Sequence, residues 1–398
     1  MRMNKKKEIV PKLRFPEFTG KWQNEKLGNM FISRQETGFA DLPLMSLTDE
    51  SGLVPQQETK KKDNSNVNKS KYLRVCEGDI VYNTMRMWQG RCAYCKNEGI
   101  VSPAYTVCIP KDGCDGVFFY YYFKTYDLIQ KFHANSQGLV SDTLNLKFDK
   151  FASIAINRPI KKEEQQKIAD CLSSIDELID AESRKLKALE KYKKGLMQKL
   201  FPAEGKALPE WRFPEFSNDD GWIKTSLSQI CIMQAGKFIN ASEIFSEQKN
   251  NMYPCYGGNG LRGYTLTHNC SGDYPLIGRQ GALCGNVTFA TGDFYATEHA
   301  IVVTANKDID EKWLFYLLDY LQLNQYATGQ AQPGLSVQTL EKVTAIYPRK
   351  VEEQKKIANC LSEIDTVIAE QSNKVEKLKA HKKGLLQGLF PSLKEVDV

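Results

Sequence analysis

One forty-residue element occurs twice in this chain, and that repetition constrains the fold more than any other feature. Residues 163–202, EEQQKIADCLSSIDELIDAESRKLKALEKYKKGLMQKLFP, align without a gap to residues 352–391, EEQKKIANCLSEIDTVIAEQSNKVEKLKAHKKGLLQGLFP, with twenty-three of the forty positions identical. A shorter string, Arg14-Phe15-Pro16-Glu17-Phe18 with Trp22 behind it, returns as Arg212-Phe213-Pro214-Glu215-Phe216 with Trp222. The order is string, variable region, element, and then the same three again. This is a tandem duplication, and it has to be recognised before any other inference is made. The two variable regions share little beyond the rhythm of their elements, so they hold what each half does individually.

The repeated element reads as one long helix. It has no proline before its end, is rich in Leu, Lys, Glu and Ala, and keeps a 4,3 spacing of apolar residues. In the first copy the seam runs Ile168, Leu172, Ile175, Ile179, Glu182, Leu186, Leu189, Lys193, Leu196 and Leu200. In the second it runs Ile357, Leu361, Ile364, Ile368, Gln371, Val375, Leu378, Lys382, Leu385 and Leu389, with its two polar interruptions at the same places. A heptad seam predicts that the helices pair. Each is a rod of roughly 57 Å, stopped at Pro202 or Pro391, because proline cannot continue the hydrogen-bond ladder. Lys191, Lys193, Lys194 and Lys199, like Lys382 and Lys383, crowd the last turns, where they suit either the helix dipole or contact with phosphate or a partner.

A length of 398 residues predicts two or three domains. The boundaries read as a variable domain over 1–160, a helix over 161–202, a second such domain over 203–350, a second helix over 351–392 and a tail over 393–398. Hydrophobic content of 41% and charged content of 26% are those of a globular protein. No apolar run reaches membrane-spanning length, and the basic start (Met1, Arg2, Lys5, Lys6, Lys7) lacks the apolar stretch of a secretory signal, so a cytoplasmic protein is expected. Eleven cysteines, an odd number, are then expected to stay thiols. A net charge of +6 is compatible with an acidic partner without identifying one.

Both variable regions read as α/β. Asp79–Tyr82 and Tyr105–Ile109 are strand-like and Val117–Phe132 reads as an aromatic helix; Tyr274–Ile277, Ala300–Thr304 and Glu311–Tyr326 are their counterparts. A Gly/Gln/Ser stretch then leads in each half through an apolar strand back to the long helix.

Catalytic motifs are missing. The chain has no G-x-x-x-x-G-K-[ST] phosphate loop, no H-E-x-x-H and no G-x-S-x-G. It also lacks the Asn/Asp-Pro-Pro-aromatic stretch by which an amino-methyltransferase holds its target amine. Cys92 and Cys95, with Cys108 and Cys114 downstream, are wrongly spaced for a zinc knuckle and read as buried thiols. His299, beside Glu298, reads as a packed or tautomer-fixed histidine rather than a general base.

The remaining polar signals suit nucleic-acid reading. Asn83, Thr84, Arg86, Trp88, Gln89 and Arg91 sit in one turn-like stretch, and arginine pairs in bidentate fashion with guanine as asparagine or glutamine does with adenine. The second region offers Asn259 and Arg262 in Gly257-Gly258-Asn259-Gly260-Leu261-Arg262-Gly263, and Arg279 and Gln280 in Gly278-Arg279-Gln280-Gly281; the glycines would let backbone approach phosphate closely. Gln137 in the first half, and Gln330 and Gln332 in the second, belong to the Gly/Gln stretches. Lys60 and Lys61 lie in a basic run that reads either as a phosphate clamp or as a solvated loop.

With its doubled RFPEF and its doubled E-E-Q-x-K-I-A-x-C-L helix ending in LFP, the chain resembles, over essentially its whole length, the specificity subunit of type I restriction-modification systems. The resemblance implies two mixed α+β target-recognition domains, each reading one half of an interrupted, asymmetric site in double-stranded DNA. It also implies an antiparallel intramolecular coiled coil as the spacer between them, pseudo-two-fold symmetry, and two modification subunits docked on the repeated parts. Adenine-N6 methylation with S-adenosylmethionine is then the work of the modification subunits, and ATP- and Mg-dependent cleavage that of restriction subunits. This chain is expected to be non-catalytic, without cofactor or metal. Two other classes fit the same residues: a coiled-coil scaffold whose domains bind protein, and a self-contained nuclease or methyltransferase.

Overall fold

A computed structural model of the chain describes residues 10–48, 52–59, 62–63, 65–140, 143–281, 283–329 and 333–392. The chain forms two compact units. Residues up to Ser183 together with those from Lys374 onward make unit 1, and Arg184–Asn373 make unit 2. Each unit thus owns one variable region, the first half of one long helix and the second half of the other.

Unit 1 contains β1 (Gln23–Lys26), α1 (Leu27–Met30), β2 (Phe31–Ser33), β3 (Met45–Thr48), β4 (Gly52–Pro55), β5 (Leu73–Val75), β6 (Ile80–Asn83), β7 (Cys92–Tyr94), β8 (Gly99–Val101) and β9 (Tyr105–Pro110). It continues with α2 (Gly116–Tyr122), α3 (Tyr126–Asn135), α4 (Phe148–Ser153), β10 (Ala155–Arg158) and the start of α5 (Lys162–Leu200). The central sheet is antiparallel in the order β2-β9-β6-β7, and β1 pairs with β10 where the region meets α5. Strand alternation sorts the two cores. Ile80 and Tyr82 face an aromatic core of Phe31, Phe118, Phe119, Phe132 and Phe151, and Val81 faces a smaller one with Met45, Val75 and Val107. The aromatic stretch predicted as one helix is two. Both the amide and the hydroxyl of Thr125 donate to Tyr122 O (3.0 and 2.8 Å), which ends α2. The bend brings Phe123 and Phe132 edge to face at 5.5 Å.

Unit 2 contains β11 (Ile223–Ser226), α6 (Leu227–Ile230), β12 (Cys231–Ala235), β13 (Tyr253–Gly257), β14 (Gly260–Thr265), β15 (Cys270–Ser271), β16 (Tyr274–Gly278), β17 (Val287–Ala290), β18 (Asp293–Ala296) and β19 (Ala300–Ala305). It ends with α7 (Glu311–Tyr320), α8 (Val337–Glu341), β20 (Thr344–Tyr347) and α9 (Val351–Leu389). The sheet order β12-β19-β16-β17 matches that of unit 1, but a second sheet, β14-β13-β18-β15, is larger than its counterpart. The predicted helix over 311–326 stops at Tyr320: Gln322 turns left-handed (φ 47°) before a single 3-10 turn at Leu323–Tyr326.

The repeated sequences are a clasp inside each unit. Glu164, near the start of α5, is buried and accepts from Arg14 Nε (2.8 Å) and Trp22 Nε1 (3.1 Å). Glu353 does the same for Arg212 Nε (2.7 Å) and Trp222 Nε1 (3.1 Å). The next residue is an equally buried glutamine. Gln165 Oε1 accepts from Asp115 N and Gln354 Oε1 from Asp310 N, at 2.9 and 2.7 Å. Asp115 and Asp310 in turn cap α2 and α7, each carboxylate accepting an amide at 2.8 Å. RFPEF and E-E-Q are therefore two halves of one joint that ties each variable region to its helix.

α5 and α9 pack together antiparallel. Every seam position is buried or half-buried, and the lysine interruptions have a reason. In unit 1, Lys382 reaches Asp176 (2.5 Å), whose other oxygen accepts from Tyr121 OH (2.8 Å). In unit 2, Lys193 reaches Asp365 (2.7 Å), which accepts from Tyr316 OH (2.7 Å). Each ammonium also lies over the tyrosine ring, at 5.4 Å in unit 1 and 5.3 Å in unit 2. The LFP ends plug the cores: Phe390 stacks on Tyr122 at 4.6 Å and Phe201 on Tyr320 at 5.0 Å.

Candidate nucleic-acid interface

In unit 1 the polar stretch after β6 is a tight turn built from its own side chains. Asn83 Oδ1 accepts from Met85 N (3.0 Å), Thr84 Oγ1 donates to Ala104 O (2.8 Å) and Trp88 Nε1 donates to Met85 O (3.0 Å). The Trp88 ring meets His133 of α3 edge-on at 5.7 Å, which seats the turn on that helix. Asn83, Thr84 and Trp88 therefore shape the loop. Arg86 is half-buried in it, whereas Gln89 and Arg91 are exposed. Gln89 and Arg91 border a cavity of about 490 Å³ that Thr48 and Lys124 also line. Lys124 donates to Tyr120 OH (2.8 Å) and lies over that ring. Nothing in its local pattern signalled this, because it ends an aromatic run that reads only as core. Gln137 is exposed on a separate arm beyond α3.

In unit 2 the two glycine loops come together. A Cβ on Gly278 would lie 2.1 Å from Gly258 O, and one on Gly258 would lie 2.9 Å from Gln280 O, so glycine at both positions lets one backbone press against the other. The loops then frame one cavity of about 580 Å³, lined by Asn259, Arg262, Gln280 and His299. Asn259, Arg262, Arg279 and Gln280 are all exposed. Arg279 holds the loop through its backbone, its amide donating to His299 O (2.8 Å) and its carbonyl accepting from Leu335 N (2.9 Å). Of the two readings of His299, packed or tautomer-fixed, the packed one does not hold: its side chain is 41% exposed, with Nε2 3.3 Å from Glu298 Oε1. A strand-flanking Glu-His pair gives no hint that a neighbouring loop will leave it open.

Lys60, Lys61, Gln330 and Gln332 lie outside the described residues, as does the tail over 393–398. Cys92, Cys95, Cys108 and Cys114 are buried, and burial pushes the Cys92 thiol up to about 12, the opposite of the thiolate a zinc ion requires. Among the described residues no cluster of three or more His, Cys, Asp or Glu is gathered as for a metal ion. Nor is any helix among them long and apolar enough to cross a membrane.

Two α/β modules, joined to matched helices by the same buried joint but presenting unlike polar cavities, define a duplicated recognition protein. Comparison with known proteins gives it a family. The model for the type I restriction modification DNA specificity domain matches residues 20–191 and again 219–380, and the chain belongs to that family. It is 45% identical over 145 residues to the specificity subunit of the type I restriction enzyme EcoprrI from Escherichia coli, a match spanning 36% of either chain. It is 25% identical over 360 residues to the MjaVIII specificity subunit of Methanocaldococcus jannaschii, 81% of this chain and 82% of that one. The crystal structure of the type I S subunit from M. genitalium has the same fold, with a TM-score of 0.65 at 19% identity over 97% of this chain and all of the other. The chain is thus a type I specificity subunit with two recognition domains, and that family is not itself catalytic.

Proposed function

We propose that each unit reads one half of an interrupted, asymmetric site in double-stranded DNA, and that the paired helices set the distance between the two readings. Gln89, Arg91 and Lys124 do this work in unit 1; Asn259, Arg262 and Gln280 do it in unit 2, with Arg279 beside them. The observation that carries this reading is the contrast within one duplication. The joint is kept residue for residue and the helix seam at eight of its ten positions, while the exposed amide and guanidinium groups bordering the two cavities are not. A twice-kept scaffold suits a partner taken up twice, namely two modification subunits that supply S-adenosylmethionine and methylate adenine at N6. Restriction subunits, with ATP and Mg, complete the assembly. Base-edge groups on two unlike faces suit two different half-sites.

The test is modified-base sequencing of DNA from cells carrying this chain with its modification subunit, before and after exchange of residues 20–160 or 222–350 for those of a relative. A bipartite methylated motif is expected, with one half changing per exchange. Inserting seven residues at the same register in both long helices is expected to lengthen the unread spacer. A continuous motif, or one indifferent to this chain, would overturn the reading.

A further inference from the structure

We propose that Leu139 and Val140 of unit 1 form an apolar wedge that enters a base step of the DNA next to the half-site this unit reads. The inference rests on the DNA-reading function above.

The two arms carrying the tip, residues 137–140 and 143–145, are firmly built. Gln137 and Asn145 exchange both backbone hydrogen bonds at 2.8 Å, and Asn145 Nδ2 donates to Gln137 O (3.2 Å). Thr143 donates to Val140 O through its amide and its hydroxyl, both at 2.9 Å. A Cβ on Gly138 would lie 2.6 Å from the Thr143 backbone, so only glycine lets the arms close this far. These bonds are all polar. The side chains they hold outward are aliphatic: Leu139 is fully exposed and Val140 is 60% exposed.

One exposed leucine is ordinary on a protein surface; its position here is not. The arm returns to the polar turn, where Leu146 N donates to Thr84 O at 2.8 Å. Thr84 and the exposed Met85 share that turn with Gln89 and Arg91, so the arm that carries the aliphatic tip is bonded at its base to the turn proposed to read base edges. Leucine and methionine are side chains that proteins insert between base pairs, unstacking a step and bending the duplex. Because steps differ in how readily they yield, such a wedge selects sequence where no hydrogen bond is made.

The test uses the full chain with its modification subunits and duplexes of its methylated motif, with 2-aminopurine placed in turn through the unit 1 half-site and the adjoining spacer. Wild type is expected to raise fluorescence about three- to tenfold at one step, as unstacking does. Leu139→Ala with Val140→Ala is expected to abolish the rise, weaken binding about tenfold and relax sequence preference at that step alone, the two halves of the methylated motif being kept; Leu139→Met is expected to keep the rise. The wedge is overturned if no position brightens with wild type, or if the double alanine variant brightens it equally. Loss of modification-subunit co-purification on Leu139→Glu, with no change in DNA unstacking, would overturn it in favour of a protein contact. In each of those cases an intact bipartite motif shows that the DNA-reading function itself survives.

Discussion

In unit 1, Arg14 and Trp22 converge on Glu164; in unit 2, Arg212 and Trp222 converge on Glu353, at nearly the same distances. The polar loops of the two units are unlike. Unit 1 mounts its polar groups on a self-bonded turn seated against α3, and unit 2 mounts its own on two glycine loops pressed backbone to backbone. The difference teaches where this fold tolerates change. Buried ion pairs and capped helices fix each region to the long helices over many residues of sequence separation. The polar loops are held by bonds that involve none of the joint residues, so they can be rebuilt without disturbing the joint.

Removing a joint carboxylate gives the largest expected effect. Glu164→Ala and Glu353→Ala each leave a largely buried guanidinium unpaired and are expected to cost about 3–5 kcal/mol, read by urea unfolding of the full chain. Losses that differed by more than a factor of two would break the equivalence of the units. Next come the readers. Arg91→Ala and Arg262→Ala are each expected to weaken specific DNA binding by about 1–3 kcal/mol, and each to relax only its own half of the methylated motif. Relaxation of both halves by either change would show that the faces are coupled. Tyr121→Phe and Tyr316→Phe remove a hydrogen bond to a carboxylate that keeps its lysine, and about 1–2 kcal/mol of stability is expected to go with each. The outermost pair, Lys167 with Glu17 and its copy Lys356 with Glu215, both at 3.2 Å, is solvent-exposed. Lys167→Ala and Lys356→Ala are expected to leave the unfolding midpoint unchanged, and a clear shift in either would show that the ion pair contributes to the joint.

The duplication, the α/β character of each region and the two long helices were legible because each leaves a periodic trace: a repeat at constant offset, alternation along strands, heptads along the rods. The breaks in the aromatic helices were not. Thr125 ends α2 through a bond to its own preceding turn, in a stretch whose apolar content reads as unbroken helix. RFPEF could be seen to recur, but nothing in it names Glu164, about 150 residues away, as its partner. Lys124 and His299 were passed over as cavity groups because local pattern speaks to burial within one element, and their exposure depends on loops from others.

By itself the sequence determined that this protein is one plan used twice, with two seams able to zip and two regions free to differ, since spacing and repetition are properties of a single line of residues. Only the tertiary structure decided which charges are buried as joints, which glycines bring loops together and which amides, guanidinium groups and aliphatic tips remain in solvent. Those outcomes depend on distances between residues far apart in the chain, and these are fixed only once the cores have packed.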